Sequence, residues 1–193
     1  MGELSVEDKR KVRKPLLWVA MASMAMAFAG LTSGYIVSRK ALLRENLWVE
    51  FALPSTFIWS TLVLAISSLF LIFGSRRIDQ NDSPNLTRFI WSAFSLGLLF
   101  LILQYEGWKS LIDSGVYFTG KGSSTSGSWV YAITFFHFLH VIAGVIALGV
   151  SGNRAAKGHY SATQKLGFEL AATFWHFLGI LWLFLFLFLH FIR

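Results

Sequence analysis

The sequence predicts an all-α protein: an integral membrane bundle of five transmembrane helices, with a cytoplasmic N-terminus and a periplasmic C-terminus. Three observations carry this expectation. The chain contains five long apolar runs, no run holds an acidic or basic residue, and the Lys and Arg residues cluster between the runs. Of the 193 residues, 55% are hydrophobic and only 14% charged, where a soluble domain carries about 25% charged residues.

A helix needs roughly 20 apolar residues to cross about 30 Å of hydrocarbon. The runs that meet this test are approximately 16–37, 57–74, 89–105, 129–150 and 170–192, in a single membrane domain covering 1–193. The second and third are short and are expected to extend by a turn into their flanking loops. A polar segment, 1–15, precedes the first run and holds no short apolar stretch ending in a small-residue cleavage site, so the first run is expected to remain as a signal-anchor. Pro54, Ser55 and Thr56 start the second span, since Pro suits a first helical turn. Asn81, Asp82, Ser83 and Pro84 make the turn before the third. A flexible loop containing Gly115, Gly120, Gly122 and Gly127 precedes the fourth, which Gly152 and Asn153 are expected to end.

Orientation follows from the basic residues near the span ends. Eleven lie on the side of the N-terminus: Lys9, Arg10, Lys11, Arg13, Lys14, Arg76, Arg77, Arg88, Arg154, Lys157 and Lys165. Six lie on the other: Arg39, Lys40, Arg44, Lys109, Lys121 and Arg193. The same clustering answers the net charge of +7. Nucleic-acid binders carry their cations along one surface, whereas these flank apolar runs, so no nucleic-acid partner is expected. The chain has no Cys, which removes disulfides, thiolate metal sites, thiol nucleophiles and thiolate-bridged copper.

Spans free of fixed charge argue against a pump or transporter acting alone, because such proteins move charge through groups held at membrane depth. The histidines are the exception. His137 and His140, three apart, share a face of the fourth helix. At 1.5 Å per residue, His140 sits about 15 Å and His176 about 9 Å from the inner ends of their runs, so the two are able to face each other. Two readings stay open. Paired imidazoles from facing helices hold b-type haem. Alternatively, these histidines are structural or lipid-contacting, the commoner use of polar side chains between membrane helices. Small residues mark packing faces: Gly30 and Gly34, with Ala25, Ala29 and Ser33, in the first span, and Ala143, Gly144 and Ala147 in the fourth. Such faces let backbones approach, within the chain or against a partner.

The stretch Thr134-Phe135-Phe136-His137-Phe138-Leu139-His140-Val141, with Gly144 following, resembles the Thr-Gly-Phe-His-Gly-Leu-His-Val signature of subunit III of cytochrome c oxidase. Trp175-His176-Phe177, followed by Trp182, resembles the Tyr-Trp-His-Phe-Val-Asp element of that family's last helix. Gln104-Tyr105-Glu106-Gly107-Trp108 is similar to its Gln…Glu…Trp helix ending, and the stretch from Ser60-Thr61-Leu62 to Ser67-Ser68 is similar to its second helix in the short, five-helix bacterial form. The resemblance runs from about Leu16 to the C-terminus. Two signature glycines are Phe135 and Phe138 here, which implies a wider helix contact. The aspartate after Trp-His-Phe is Gly179, and the family's intramembrane glutamate aligns with Met24, so a carboxylate-dependent role is not expected.

The resemblance implies a non-redox subunit of a bacterial haem–copper terminal oxidase in the cytoplasmic membrane, part of aerobic electron transport. Haem and copper are expected in partner subunits I and II and none in this chain, with bound phospholipid and a small subunit IV or a respiratory supercomplex as further partners. The role implied is to support stability, lipid binding and sustained proton uptake of the catalytic subunit, with no catalysis by this chain alone. His137, His140, His176, Gln104, Glu106 and Trp175 are expected to be structural or lipid-contacting, and the small-residue face of the first or fourth helix to meet subunit I. A quinol oxidase subunit III, a nitric oxide reductase accessory protein, and a free-standing b-type haem protein or small transporter are the alternatives.

Overall fold

The computed structural model describes residues 6–80 and 82–192, so Asn81, Arg193 and the first five residues of the polar N-terminal segment lie outside the described residues. Five helices follow one another: α1 (Val6–Arg44), α2 (Thr56–Asp79), α3 (Ser83–Asp113), α4 (Thr125–Ala156) and α5 (Leu166–Phe191). All five are long and apolar enough to cross a membrane. The shortest, α2, has 24 residues, about 36 Å of helix against about 30 Å of hydrocarbon. No strand occurs among the described residues.

Each helix overruns the apolar run that predicts it on at least one side, because loss of hydrophobicity does not stop a helix while its backbone groups find partners. What bounds α1, α3 and α4 is capping chemistry. Asp82 accepts from the Asn85 backbone N–H at the start of α3, with Pro84 in the first turn, and Ser124 accepts from Gly127 N–H at the start of α4. The Asp82 carboxyl is held below the usual carboxylate range chiefly by the hydrogen bond it receives from the Asn85 side chain. At the C-terminal ends of α1, α3 and α4, Asn46, Gly115 and Gly158 adopt φ of 55°, 80° and 70°. The residue after each donates back five positions: Leu47 to Leu42, Val116 to Leu111 and His159 to Arg154. This is the paired turn that satisfies terminal helix carbonyls. Gly152 and Asn153 therefore do not end α4, as the sequence suggested. Gly152 is buried within the helix, packed against Trp91, and Gly158 closes it four residues beyond Arg154.

In the bundle α5 touches α1, α2 and α4, while α3 joins α2 to α4. Helix α1 leans on α4 and α5 alone and leaves Leu16, Trp18, Val19, Met26 and Val37 exposed. A belt of exposed Leu, Ile, Val and Phe on every helix, with Met26 at 76% and Ile180 at 70%, far exceeds the apolar patches that water-soluble proteins tolerate. It is the surface that a bilayer solvates. At the N-terminal end of the bundle, Lys14 (2.6 Å) and Arg10 (3.6 Å) pair with Glu169 in the first turn of α5, where the helix dipole also favours a carboxylate. At the other end Arg39 pairs with Glu50 at 3.7 Å. The glycine-containing loop before α4 is tied down: the Tyr131 hydroxyl donates to Val116 O, and Ser128 donates to Phe118 O.

The core is aromatic. Trp175 and Trp182 of α5, Phe28 and Tyr35 of α1, Phe57 of α2 and Phe100 of α3 are its largest fully buried side chains. Glycines make the room. A Cβ on Gly97 or on Gly144 would stand 2.7 Å from Trp175 or Leu178 respectively, closer than real atoms approach. A Val at either position should lower the thermal unfolding midpoint of the detergent-solubilised chain, by the equivalent of about 1–3 kcal/mol. Gly30→Val, where nothing lies within 4 Å, should leave that midpoint within error of the unsubstituted chain. Scanning fluorimetry of the three variants checks both.

Candidate functional site

Four hydrogen-bonded relays hold the interior together, each running from a side-chain N–H through a hydroxyl to a backbone carbonyl. Trp175 Nε1 donates to Ser67 Oγ at 2.9 Å, and Ser67 donates on to Ala93 O of α3 at 3.2 Å. Trp182 Nε1 donates to Thr61 Oγ1, which donates to Phe57 O. Gln104 Nε2 donates to Ser60 Oγ, which donates to the same Phe57 carbonyl. Trp108 Nε1 donates to Thr134 Oγ1, which donates to Val130 O. Hydrocarbon offers an indole or amide N–H no alternative partner, so each relay fixes one helix against another. Helix α2 receives three of them, one from α3 and two from α5.

Trp175 is the most connected of the residues singled out in the sequence. It is fully buried, bonds α2 through its indole nitrogen, and lays its ring into the notch between Gly97 of α3 and Gly144 of α4. Gln104 is 1% exposed, and its Oε1 accepts nothing from the described residues. Glu106 is exposed on α3 and paired with Lys109 at 3.2 Å.

The histidines part company. His137 is fully buried, stacked on Trp182 at 5.1 Å and flanked by the rings of Phe28 and Phe100, and neither ring nitrogen finds a partner among the described residues. His140 lies edge-on to Phe28 of α1, its Nδ1 on Phe136 O at 2.6 Å. His176 lines a groove between α2 and α5. The face-to-face approach of His137 or His140 to His176 that helix depth allowed is not formed: equal depth does not fix azimuth, and α5 turns Trp175 and Trp182 into the bundle and His176 toward α2. No group of three or more His, Cys, Asp or Glu side chains with metal-binding geometry occurs among the described residues.

The small residues divide likewise. Gly34 receives the Trp129 ring and Gly144 receives Trp175 and Leu178, while Gly30 and Ala143 are exposed and Ala147 lines a groove with Arg13 and Arg154. Where the resembling signature has glycine, Phe138 and Phe135 pack around Trp108 with ring centroids at 5.0 and 6.1 Å. Sequence reasoning passed over Ser60, Thr61, Ser67, Thr134, Trp182 and Gly97 as site residues. Their signal was present as Trp175 and Trp182, seven apart on one helix face, answered by Thr61 and Ser67, six apart on an antiparallel one.

These features define a class: an integral membrane bundle of five helices whose interior polar side chains bind helix to helix. The chain belongs to the cytochrome c oxidase subunit III family, whose model matches residues 51–192. It is 29% identical to cytochrome c oxidase subunit 3 of Thermostichus vulcanus over 180 residues, covering 90% of this chain and 84% of that one. The Corynebacterium diphtheriae protein of the same name is 29% identical over 179 residues, 91% and 85% of the two chains. That of Equus caballus is 34% identical over 131 residues, 66% of this chain and 46% of the longer relative.

The relay from Trp175 makes a quantitative claim. Ser67→Ala strands a buried indole N–H and should cost about 1–2 kcal/mol in unfolding free energy. Ser67→Ala in a Trp175→Phe background should cost less, because no donor is left to strand. Equal costs in the two backgrounds, measured by a double-mutant cycle in detergent, would show that the bond contributes nothing.

Proposed function

We propose that this chain is the non-redox subunit III of a bacterial haem–copper terminal oxidase, lying in the cytoplasmic membrane with its N-terminus inside, and that it steadies the catalytic subunit through packing and ordered lipid. One observation carries the reading: a chain of this family invests its intramembrane Trp, Ser, Thr and Gln in helix-to-helix bonds, which makes a rigid wall. Such a wall works by excluding water and by limiting the opening of what it covers. The face offered to the catalytic subunit is the small-residue side of α1 and α4, where Gly30 and Ala143 are exposed and a neighbouring backbone is able to approach closely.

Lipid enters at the N-terminal end of the bundle. A groove of about 320 Å³ there has Arg13 and Arg154 at its polar rim and Leu17, Val150 and Phe174 along its apolar wall. Guanidinium groups bind phosphate oxygens in pairs of parallel hydrogen bonds, so the groove suits an anionic phospholipid with its acyl chain laid against the wall.

An oxidase prepared without this chain should reduce O₂ at close to the normal initial rate and then lose activity within many fewer turnovers. Oxygen-electrode traces of the two preparations check this, and immediate loss of the haem–copper centres on removal of the chain would count against the reading. Replacing Arg13 and Arg154 by Gln should lower the anionic phospholipid that co-purifies, as read by lipid mass spectrometry.

A further inference from the structure

The groove between α2 and α5 is apolar along most of its length, but Thr61, Ser68 and His176 bring hydrogen-bonding groups to it. It has a volume of about 420 Å³ and runs along α2 from Thr61 to Ile72 and along α5 from His176 to Leu183. Thr61 is already engaged by Trp182. Ser68 and His176 are not: neither makes a hydrogen bond to any described residue. Ser67 beside Ser68 donates across to α3, and Ser60 and Thr61 donate to a carbonyl of their own helix. Among the hydroxyls of α2 only Thr56 shares this lack of a partner among the described residues, and Thr56 does not line the groove.

Depth decides what the groove holds. Ser68 stands at the midpoint of α2 (Thr56–Asp79), and His176 within three residues of the midpoint of α5 (Leu166–Phe191), so both lie near the centre of the bilayer. Phospholipid headgroups sit about 15 Å away, at the edge of the hydrocarbon, and acyl chains bring no hydrogen-bonding group to this level. A transmembrane helix does, because it places a polar side chain at any depth its sequence dictates. An unpaired polar group in hydrocarbon costs free energy that such a side chain removes. Gly179 opens the space: the Ser68 hydroxyl lies only 3.5 Å from the position its Cβ would take.

We propose that the α2–α5 groove seats a transmembrane helix of another subunit, which bonds Ser68 and His176 through a polar side chain at mid-membrane. This rests on the reading that the chain works within an oxidase complex, and it adds a second contact surface to the α1–α4 face. The occupant presents a row of side chains along about three turns, with a hydroxyl, amide or carboxyl group in the central one.

A benzophenone amino acid placed at Ile180, on the lip of the groove, tests this in the intact complex, with the same probe at Ile102, exposed on α3, as control. Irradiation at position 180 should capture one segment of a co-purifying subunit, with a hydrogen-bonding side chain within one turn of its midpoint. Gly179→Leu, which fills the groove, should cut that yield at least tenfold while the chain stays folded in the membrane. Adducts to lipid or a small amphiphile alone, capture of a helix that is wholly apolar at that depth, or a yield unchanged by Gly179→Leu would each overturn the assignment with the complex still intact. A chain that purifies with no partner subunit would instead overturn both the assignment and the reading of complex membership.

Discussion

The structure depends on one requirement: an indole N–H taken into hydrocarbon must be paired, and Trp175 has a single place to pair. Its partner, Ser67, stands on α2, while its ring needs the space left by glycine on α3 and on α4. One side chain of α5 thereby fixes the positions of three other helices. Trp182 repeats the arrangement two turns along, bonding Thr61, stacking on His137 and meeting Phe100 edge-on. Lipid supplies no hydrophobic drive for helices to associate, so close packing and interhelical hydrogen bonds carry that task. Both meet at Trp175.

This division of labour explains the uneven burial. Helices α2 to α5 share the relays, whereas α1 contributes Phe28 and Tyr35 to the core and turns most of its surface outward. A helix that leans on two neighbours and is pinned at its ends by the Lys14–Glu169 and Arg39–Glu50 pairs presents a broad face to whatever lies beside the chain. That face is small-residue rich around Gly30, as a face that meets protein would be.

Much of this was legible in the sequence. Five charge-free apolar runs define the five helices, since nothing else satisfies a backbone in lipid. Trp175 was expected to be structural or lipid-contacting and Gly144 to pack against a helix, and the structure buries both. Azimuth was not legible: His140 and His176 lie at compatible depths, yet one turns to α1 and the other to α2, because the larger Trp175 and Trp182 claim the inward face of α5. The end of α4 was misread for a related reason. Gly152 looks like a terminator, but a glycine inside a membrane helix also serves as a seat for a ring, here Trp91, and only the left-handed Gly158 stops the chain. The hydroxyl partners went unnoticed because Ser and Thr at membrane depth look unremarkable until the donor opposite them is known.

On the proposed function, the polar groups of this interior are structural and the catalysis of the complex belongs to its neighbours. An optical spectrum of the purified chain, recorded after expression in cells supplied with haem, tests this most directly. The predicted spectrum shows only the aromatic band of its Trp and Tyr residues. A Soret band at one haem per chain would contradict the account, since it would require axial ligation by imidazoles that the structure turns toward different helices.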